Sequence, residues 1–339
     1  MLKPKVFVTG ADGLLGSNLV RELLKHDFSV KALVYPKSTS RGLGGLDVEK
    51  IGGDLLGANG TLTLAMQDCR FLFHCAAVTD IWGDPELTWK INFDGTRKIL
   101  NSALKAKIKR VVYVGSASSY QFGPYENPGD EQAPFPKAYQ DVAYMESKYE
   151  ASGLVRSYVK RYGLDAVIVA PTFMFGSYDS RPSSGELIRQ YLNRNLRVVS
   201  PGGRNFVNAR DVARAMVNAL YQGKTGQSYI LGGVNLSYHD FFSNVFRVAG
   251  KKPPRIVVPK VLFKVGGTCG SLYEKVSHKK AFIEERLARF SCIKAYYSSA
   301  KAYQELNLPQ TNIETTIAES IQSLRDYGFL NGNGSGRIQ

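Results

Sequence analysis

An α/β fold, built on a doubly wound parallel sheet and followed by a smaller, mostly helical region, is what this 339-residue sequence predicts. Three observations lead there. Short apolar runs rich in Val, Ile and Phe alternate with longer amphipathic stretches. The runs lack polar alternation, as strands buried on both faces do. A glycine-rich turn joins the first run to the first amphipathic stretch, which suits a helix N-terminus that meets an anion. Right-handed crossovers between such strands place ligands outside the strand carboxyl ends.

The strand-like runs are, in order, "KVFVTG", "FSVKALVY", "VEKIGGDL", "RFLFHCAA", "RVVYVGS" and "DAVIVAPT". Helix-like stretches lie between and after them, at Leu14–His26, Gly57–Gln67, Pro85–Ala106 and Val142–Tyr162. This rhythm sets a first domain at residues 1–175. After Pro171 it breaks: "FGSYDSRPSSGE" reads as a polar loop and Glu186–Asn195 as a helix. "RNFVNARDVARAMVNALYQG" reads as a strand and a helix, and "QSYILGG" as a strand, so that residues 205–232 return to the first domain. The rest of 176–330, mostly helical, is expected to bind substrate. The tail "NGNGSGRIQ", residues 331–339, has little to hold it and is expected to be disordered or a cloning remnant.

Composition narrows the function classes. With 44% hydrophobic and 22% charged residues the chain is that of a soluble globular protein. No apolar run is long enough to span a bilayer, and the N-terminus runs straight into a strand. Cys69, Cys75, Cys269 and Cys292 lack metal-ligand spacing; reduced cysteines and a cytoplasmic location are expected, with no metal. The formal net charge of +15 fits solubility better than a nucleic-acid partner. The stretch "PKVLFKVGGTCGSLYEKVSHKK" mixes apolar and basic residues. It fits either a membrane-surface contact, which is not favoured, or a helix over the substrate site.

"VFVTGADGLLGSNLV" places Gly10, Gly13 and Gly16 between the first strand and the first helix. Glycines let the backbone approach a pyrophosphate, and the helix start, with Leu14 and Leu15, offers free N–H groups. The G-x-x-G-x-x-G spacing departs by one residue from the G-x-G-x-x-G dinucleotide fingerprint. At the end of the second strand an NAD site usually has an acid for the ribose 2′-hydroxyl. Here "VYPKSTSRG" offers Lys37, Ser38, Thr39 and Arg41 instead. NADP(H) is therefore favoured, with NAD(H) possible.

With the glycine loop, "HCAA", "INFDGT" and "YMESK" in this order, the chain resembles the extended short-chain dehydrogenase/reductase family, which binds its cofactor on a Rossmann fold. Within it the chain is most similar to the dihydroflavonol-reductase-like and hydroxysteroid-dehydrogenase-like branch. The resemblance implies that Asp54 and Leu55 contact the adenine and that Ala76 and Ala77 line the cofactor groove. It implies that Asn92 braces the core near the fifth strand, and that the backbone from Pro171 to Phe173 reaches the nicotinamide amide. His74 is expected to be structural.

The same resemblance makes Tyr144 the proton donor and acceptor, and has Lys148 bind the nicotinamide ribose. On a helix the two share a face one turn apart, where an ammonium lowers the tyrosine pKa. Among Ser116, Ser118 and Ser119, the family spacing to Gly123 selects Ser118 to hold the substrate oxygen, with Ser119 next and Ser116 packing at the strand end. The expected reaction is hydride transfer between nicotinamide and a ketone, aldehyde or secondary alcohol. Thr79, Trp82, Phe122, Phe173 and Met174 are expected around an apolar substrate. Arg204 matches an arginine that grips phosphate in the sugar-nucleotide branch, which leaves a nucleotide-sugar epimerase or dehydratase with tightly bound NAD(P) as the alternative. A homodimer through the Tyr144 helix is also implied.

Overall fold

The computed structural model describes residues 3–58, 60–263, 265–268 and 285–330. Cys269 and the tail from residue 331, for which expectations are given above, lie outside the described residues. Seven parallel strands form the main sheet: β1 (Lys5–Thr9), β2 (Ser29–Val34), β3 (Glu49–Gly52), β4 (Phe71–His74), β5 (Arg110–Val114), β6 (Ala166–Pro171) and β10 (Ser228–Leu231). Their order is β10-β6-β5-β4-β1-β2-β3. Alternate residues of β1 enter opposite cores, as the two-residue period of a strand requires. Val6 and Val8 meet Leu15, Leu19 and Leu23 of α1 (Leu14–Lys25) and Val212, Met216 and Leu220 of α7 (Ala209–Gln222). Phe7 meets Ile99 and Leu100 of α4 (Thr96–Lys105) and Ala151 and Val155 of α5 (Ala143–Tyr162).

The strand order reverses between β1 and β4, and a crevice opens there beyond Thr9 and His74, which pair in register. At the far edge β10 pairs in parallel with β6, Ser228 opposite Ile168, and α7 packs beside α1. Residues 209–231 thus complete the sheet and one of its helical layers.

Two expected helices are altered. Gly57–Gln67 shortens to α2 (Thr61–Ala65). Pro85–Ala106 divides into α3 (Pro85–Trp89), a π-helical stretch over Lys90–Gly95, and α4. A π turn fits extra backbone into a helix and re-aims its side chains, here those around Asn92. The region after Pro171 carries more strand than the sequence revealed. β7 (Phe173–Phe175), β11 (Val234–Ser237) and β13 (Lys294–Ala295) all pair with β9 (Gly203–Asn208). β8 (Val198–Val199) pairs with β12 (Ile256–Val257) as a separate ribbon. Strands of two to four residues give too few alternations to show a period. An aromatic core holds this region together: Phe206 stacks on Phe241 at 4.0 Å, and Tyr191 on Phe242 at 3.5 Å.

Candidate active site

Backbone geometry makes the mouth of the crevice. Gly10, just past β1, has φ +63°, and a Cβ there would lie 2.7 Å from the backbone of Ala76. A Cβ on Gly16 would lie 2.0 Å from the Gly10 carbonyl oxygen. The turn therefore admits no side chain at either position. Gly13 is the N-cap of α1 and makes no side-chain capping bond, so the N–H groups of the first turn, at Leu14 and Leu15, face outward for an anion. Ala76 stands opposite, its N–H donating to Thr9 Oγ1 at 3.2 Å, and Ala77 follows it. Beyond β3, Asp54 accepts the Leu56 N–H at 2.9 Å, and Leu55 is buried against Gly95. These residues fit a dinucleotide: a turn with no room for side chains, an uncapped helix start, and a small-residue wall.

The ribose-phosphate end is more elaborate than the sequence showed. Lys37 is exposed, and Arg41 lies with its guanidinium 5.1 Å above the Tyr327 ring. Ser38 donates its hydroxyl to the Asp12 carboxylate, and Arg181 pairs with the same oxygen at 3.0 Å. Arg181 arrives on a strap, residues 176–184, that runs over α1. Asn18 Nδ2 donates to the Ser177 carbonyl at 2.8 Å, and Arg21 stacks on Tyr178 at 3.5 Å. Asp12 and Arg181 went unread because nothing in a linear sequence ties a glycine-loop acid to an arginine so distant.

α5 places Tyr144 and Lys148 one turn apart, as expected. Their electrostatics differ from expectation. Lys148 is buried, donates to the Val114 carbonyl, and sits 4.8 Å from the Tyr113 ring. Burial lowers its pKa to about 7, and Cys75 offers no countercharge at neutral pH because burial pushes that thiol up to about 12. Tyr144 is raised above its ordinary value, not lowered: desolvation dominates, and a hydrogen bond with Ser116 opposes it. Loss of water on burial therefore decides the direction, and the hydrogen bond only opposes it.

Ser116 meets the Tyr144 phenol and lies 2.7 Å, oxygen to oxygen, from Ser118. Ser116 Oγ also accepts the Ser118 N–H at 3.2 Å and caps the 3-10 turn that follows β5, a structural place at the strand end as expected. Ser119 is buried, with no hydrogen-bond partner for its hydroxyl.

Two buried polar residues fix the frame. Asn92, turned inward by the π stretch, accepts the Val78 N–H at 2.8 Å and donates to the Val78 carbonyl at 3.0 Å and Ser147 Oγ at 3.1 Å. It clamps the loop after β4 onto α5, and so braces that loop in place of the fifth strand. His74 lies between Thr9 Oγ1 at 2.7 Å and Thr96 Oγ1 at 3.0 Å. Burial, with Lys148 nearby, lowers its pKa to about 3, so it is a neutral structural residue, as expected.

An aromatic wall stands at the start of α5, the helix that carries Tyr144. Trp82 packs edge-on against Phe290 at 5.5 Å, Phe290 stacks on Tyr139 at 5.7 Å, and Tyr139 meets Phe122 at 5.5 Å. Ile81 and Met145 join the cluster, and Met145 is the neighbour of Tyr144 on α5. Trp82 and Phe122 are thus brought together, with Thr79 exposed on the Trp82 loop. Tyr139 and Phe290 were missed, since isolated aromatic residues carry no signal of a shared wall. Phe173 and Met174 do not join it. The Phe173 ring packs on Phe175 and Phe206 in the C-terminal core, and Met174 on the core of the main sheet. Pairing of β7 with β9 directs them there. Arg204, a candidate for substrate phosphate, donates instead to the carbonyls of Gly203 at 3.1 Å, Ile293 at 2.9 Å and Phe290 at 3.0 Å.

Comparison with known proteins agrees with this architecture. The profile described as "NAD dependent epimerase/dehydratase family" matches residues 6–232. A putative dihydroflavonol 4-reductase of Synechocystis sp. is 34% identical over 96% of this chain and 95% of its own length. Sterol demethylase protein B of Methylococcus capsulatus is 29% identical over 95% of this chain and 99% of its own. Among solved structures, gox2253 superposes with a TM-score of 0.85 at 30% identity, covering 97% of this chain and 100% of that one.

Proposed function

The chain belongs to the NAD dependent epimerase/dehydratase family and is an NAD(P)-dependent oxidoreductase, and we propose that it reduces an apolar ketone or aldehyde with NADP(H), or oxidises the matching secondary alcohol. One observation carries the choice over a nucleotide-sugar epimerase. The guanidinium of Arg204 is occupied by three backbone carbonyls, so it braces the Phe290 segment instead of waiting for a diphosphate. Phe290, held this way, completes the aromatic wall at the start of α5. Such a wall suits an apolar substrate. The names of relatives point the same way, one to a dihydroflavonol and one to a sterol.

The bound nicotinamide supplies or takes up the hydride. The chain holds and moves the proton. Tyr144, with its pKa raised, keeps its proton at neutral pH and donates it to the oxygen on which negative charge grows. Ser118 steadies that oxygen, with Ser116 linking it to Tyr144. Lys148 stands one turn away for the nicotinamide ribose. In the oxidative direction Tyr144 is the base. NADP is favoured by the exposed cations Lys37 and Arg41 and by Thr39 in the segment after β2, which carries no acid before Asp47; Asp12, which holds Ser38, is itself paired with Arg181.

A homodimer through α5 accords with the exposed Tyr149 and Tyr162 on that helix. Cys69 and Cys75 form no disulfide, which suits the cytoplasm.

The test is an assay of NADPH oxidation across a panel of apolar ketones and aldehydes, run beside an isomerisation assay on nucleotide sugars. Net NADPH consumption with a carbonyl substrate is the expected result. Sugar isomerisation without net consumption, lost in Arg204→Ala, would overturn the reading.

A further inference from the structure

In the C-terminal region, the β8–β12 ribbon and the turn of helix at 260–263 expose an unusual set of apolar side chains. Val261 is 72% exposed, Leu262 62%, Ile256 56%, Val265 54%, Val257 43% and Val198 42%. Val261, Leu262 and Val265 follow the i, i+1, i+4 spacing of one helix face. Scattered exposed apolar residues need no explanation, but a contiguous group rimmed by one kind of charge does.

The rim is basic. Lys252, Arg255 and Lys260 are exposed within the same segment. Residues 189–203, which carry β8, and residues 249–268, which carry β12 and the helical turn, contain no Asp or Glu. This local excess lies within a chain of net charge +15. Apolar side chains ringed by cations, without a single acid among them, complement a surface that is apolar beneath and anionic above. That is the chemistry of an anionic lipid bilayer.

We propose that this face docks on anionic membrane, with Val261, Leu262 and Val265 entering the headgroup boundary and Lys252, Arg255 and Lys260 meeting the lipid phosphates. The contact is peripheral, since no helix among the described residues is long and apolar enough to cross a membrane. The docking itself does not depend on which substrate is turned over.

Co-sedimentation of the full chain with vesicles of phosphatidylcholine alone, and of phosphatidylcholine mixed with phosphatidylglycerol, tests this. Binding to the mixed vesicles only, weakened by added salt, is expected. Lys252→Glu, Arg255→Glu and Lys260→Glu should each lower the partition coefficient by roughly five-fold or more. Val261→Asp with Leu262→Asp should lower it by at least about ten-fold. Melting temperature and NADPH affinity should stay unchanged, which shows the variants fold. No binding to anionic vesicles, or binding that survives both sets of substitutions, would overturn the proposal. So would a wild-type dimer that dissociates in Val261→Asp/Leu262→Asp, because a second copy would then be the occupant.

Discussion

The cofactor crevice is made mostly of backbone, whereas the aromatic wall at the start of α5 is made of side chains. In the crevice, Gly10 and Gly16 lie in one turn and exclude any side chain. The wall gathers Trp82, Phe122, Tyr139 and Phe290 from four separate segments, and Arg204 holds the last of these in place. The difference teaches where each function is vulnerable. A single atom added to the crevice should abolish cofactor binding, while the wall can change its residues and thereby its substrate.

The harshest way to break this contrast is Gly16→Ala. Its Cβ would meet the Gly10 carbonyl oxygen at 2.0 Å, so the turn must open. Cofactor affinity measured by fluorescence titration should fall by about 100-fold or more. Near-normal binding would show that the turn is looser than described.

A milder test concerns Lys148, where the crevice and wall meet. Its ordinary pKa of 10.5 falls to about 7 on burial. Between those values the unfolded chain binds the extra proton, so this residue's contribution to stability rises with pH across that window and is least favourable below it. Lys148→Met removes the dependence. In the cofactor-free protein, the melting temperature of the variant relative to wild type should be highest near or below about pH 7 and decline toward about pH 10. A difference independent of pH would mean that Lys148 is not desolvated. The same variant should also lose cofactor affinity, since Lys148 is proposed to bind the ribose.

The smallest expected effect sharpens the cofactor choice. Lys37→Ala with Arg41→Ala should weaken NADPH binding by about ten-fold and NADH binding far less, because both residues are exposed cations facing an extra phosphate. Wild-type protein that binds NADH more tightly than NADPH would contradict the NADP reading.

The same contrast explains what could be read in advance. The main sheet was legible because its strands are long apolar runs, and the glycine loop because backbone constraints there dictate residue type at fixed spacing. The placement of Tyr144 and Lys148 one turn apart was legible through a motif on one helix. The roles of Ser116, Ser118 and Ser119 are harder to read, since three serines within four residues differ only in where the strand end points them. Tyr139, Phe290, Asp12 and Arg181 were not legible: their roles exist only after distant segments meet. Phe173 and Met174 are expected at the substrate from their place after the sixth strand, and the pairing of β7 with β9, too short to see as a pattern, turns them onto the cores.

The account's central claim is that Tyr144 donates a proton as hydride passes, with net consumption of cofactor, to an apolar carbonyl. It is tested most directly by NADPH carrying deuterium at the transferred position, with whichever apolar ketone of the panel turns over fastest. The account predicts one deuterium in each product alcohol, matched by one NADPH oxidised. It predicts a Tyr144→Phe variant that binds NADPH as before while turning over about 10²- to 10⁴-fold more slowly. Undiminished turnover in Tyr144→Phe, or label that stays with the cofactor pool while a sugar nucleotide is isomerised, would contradict it.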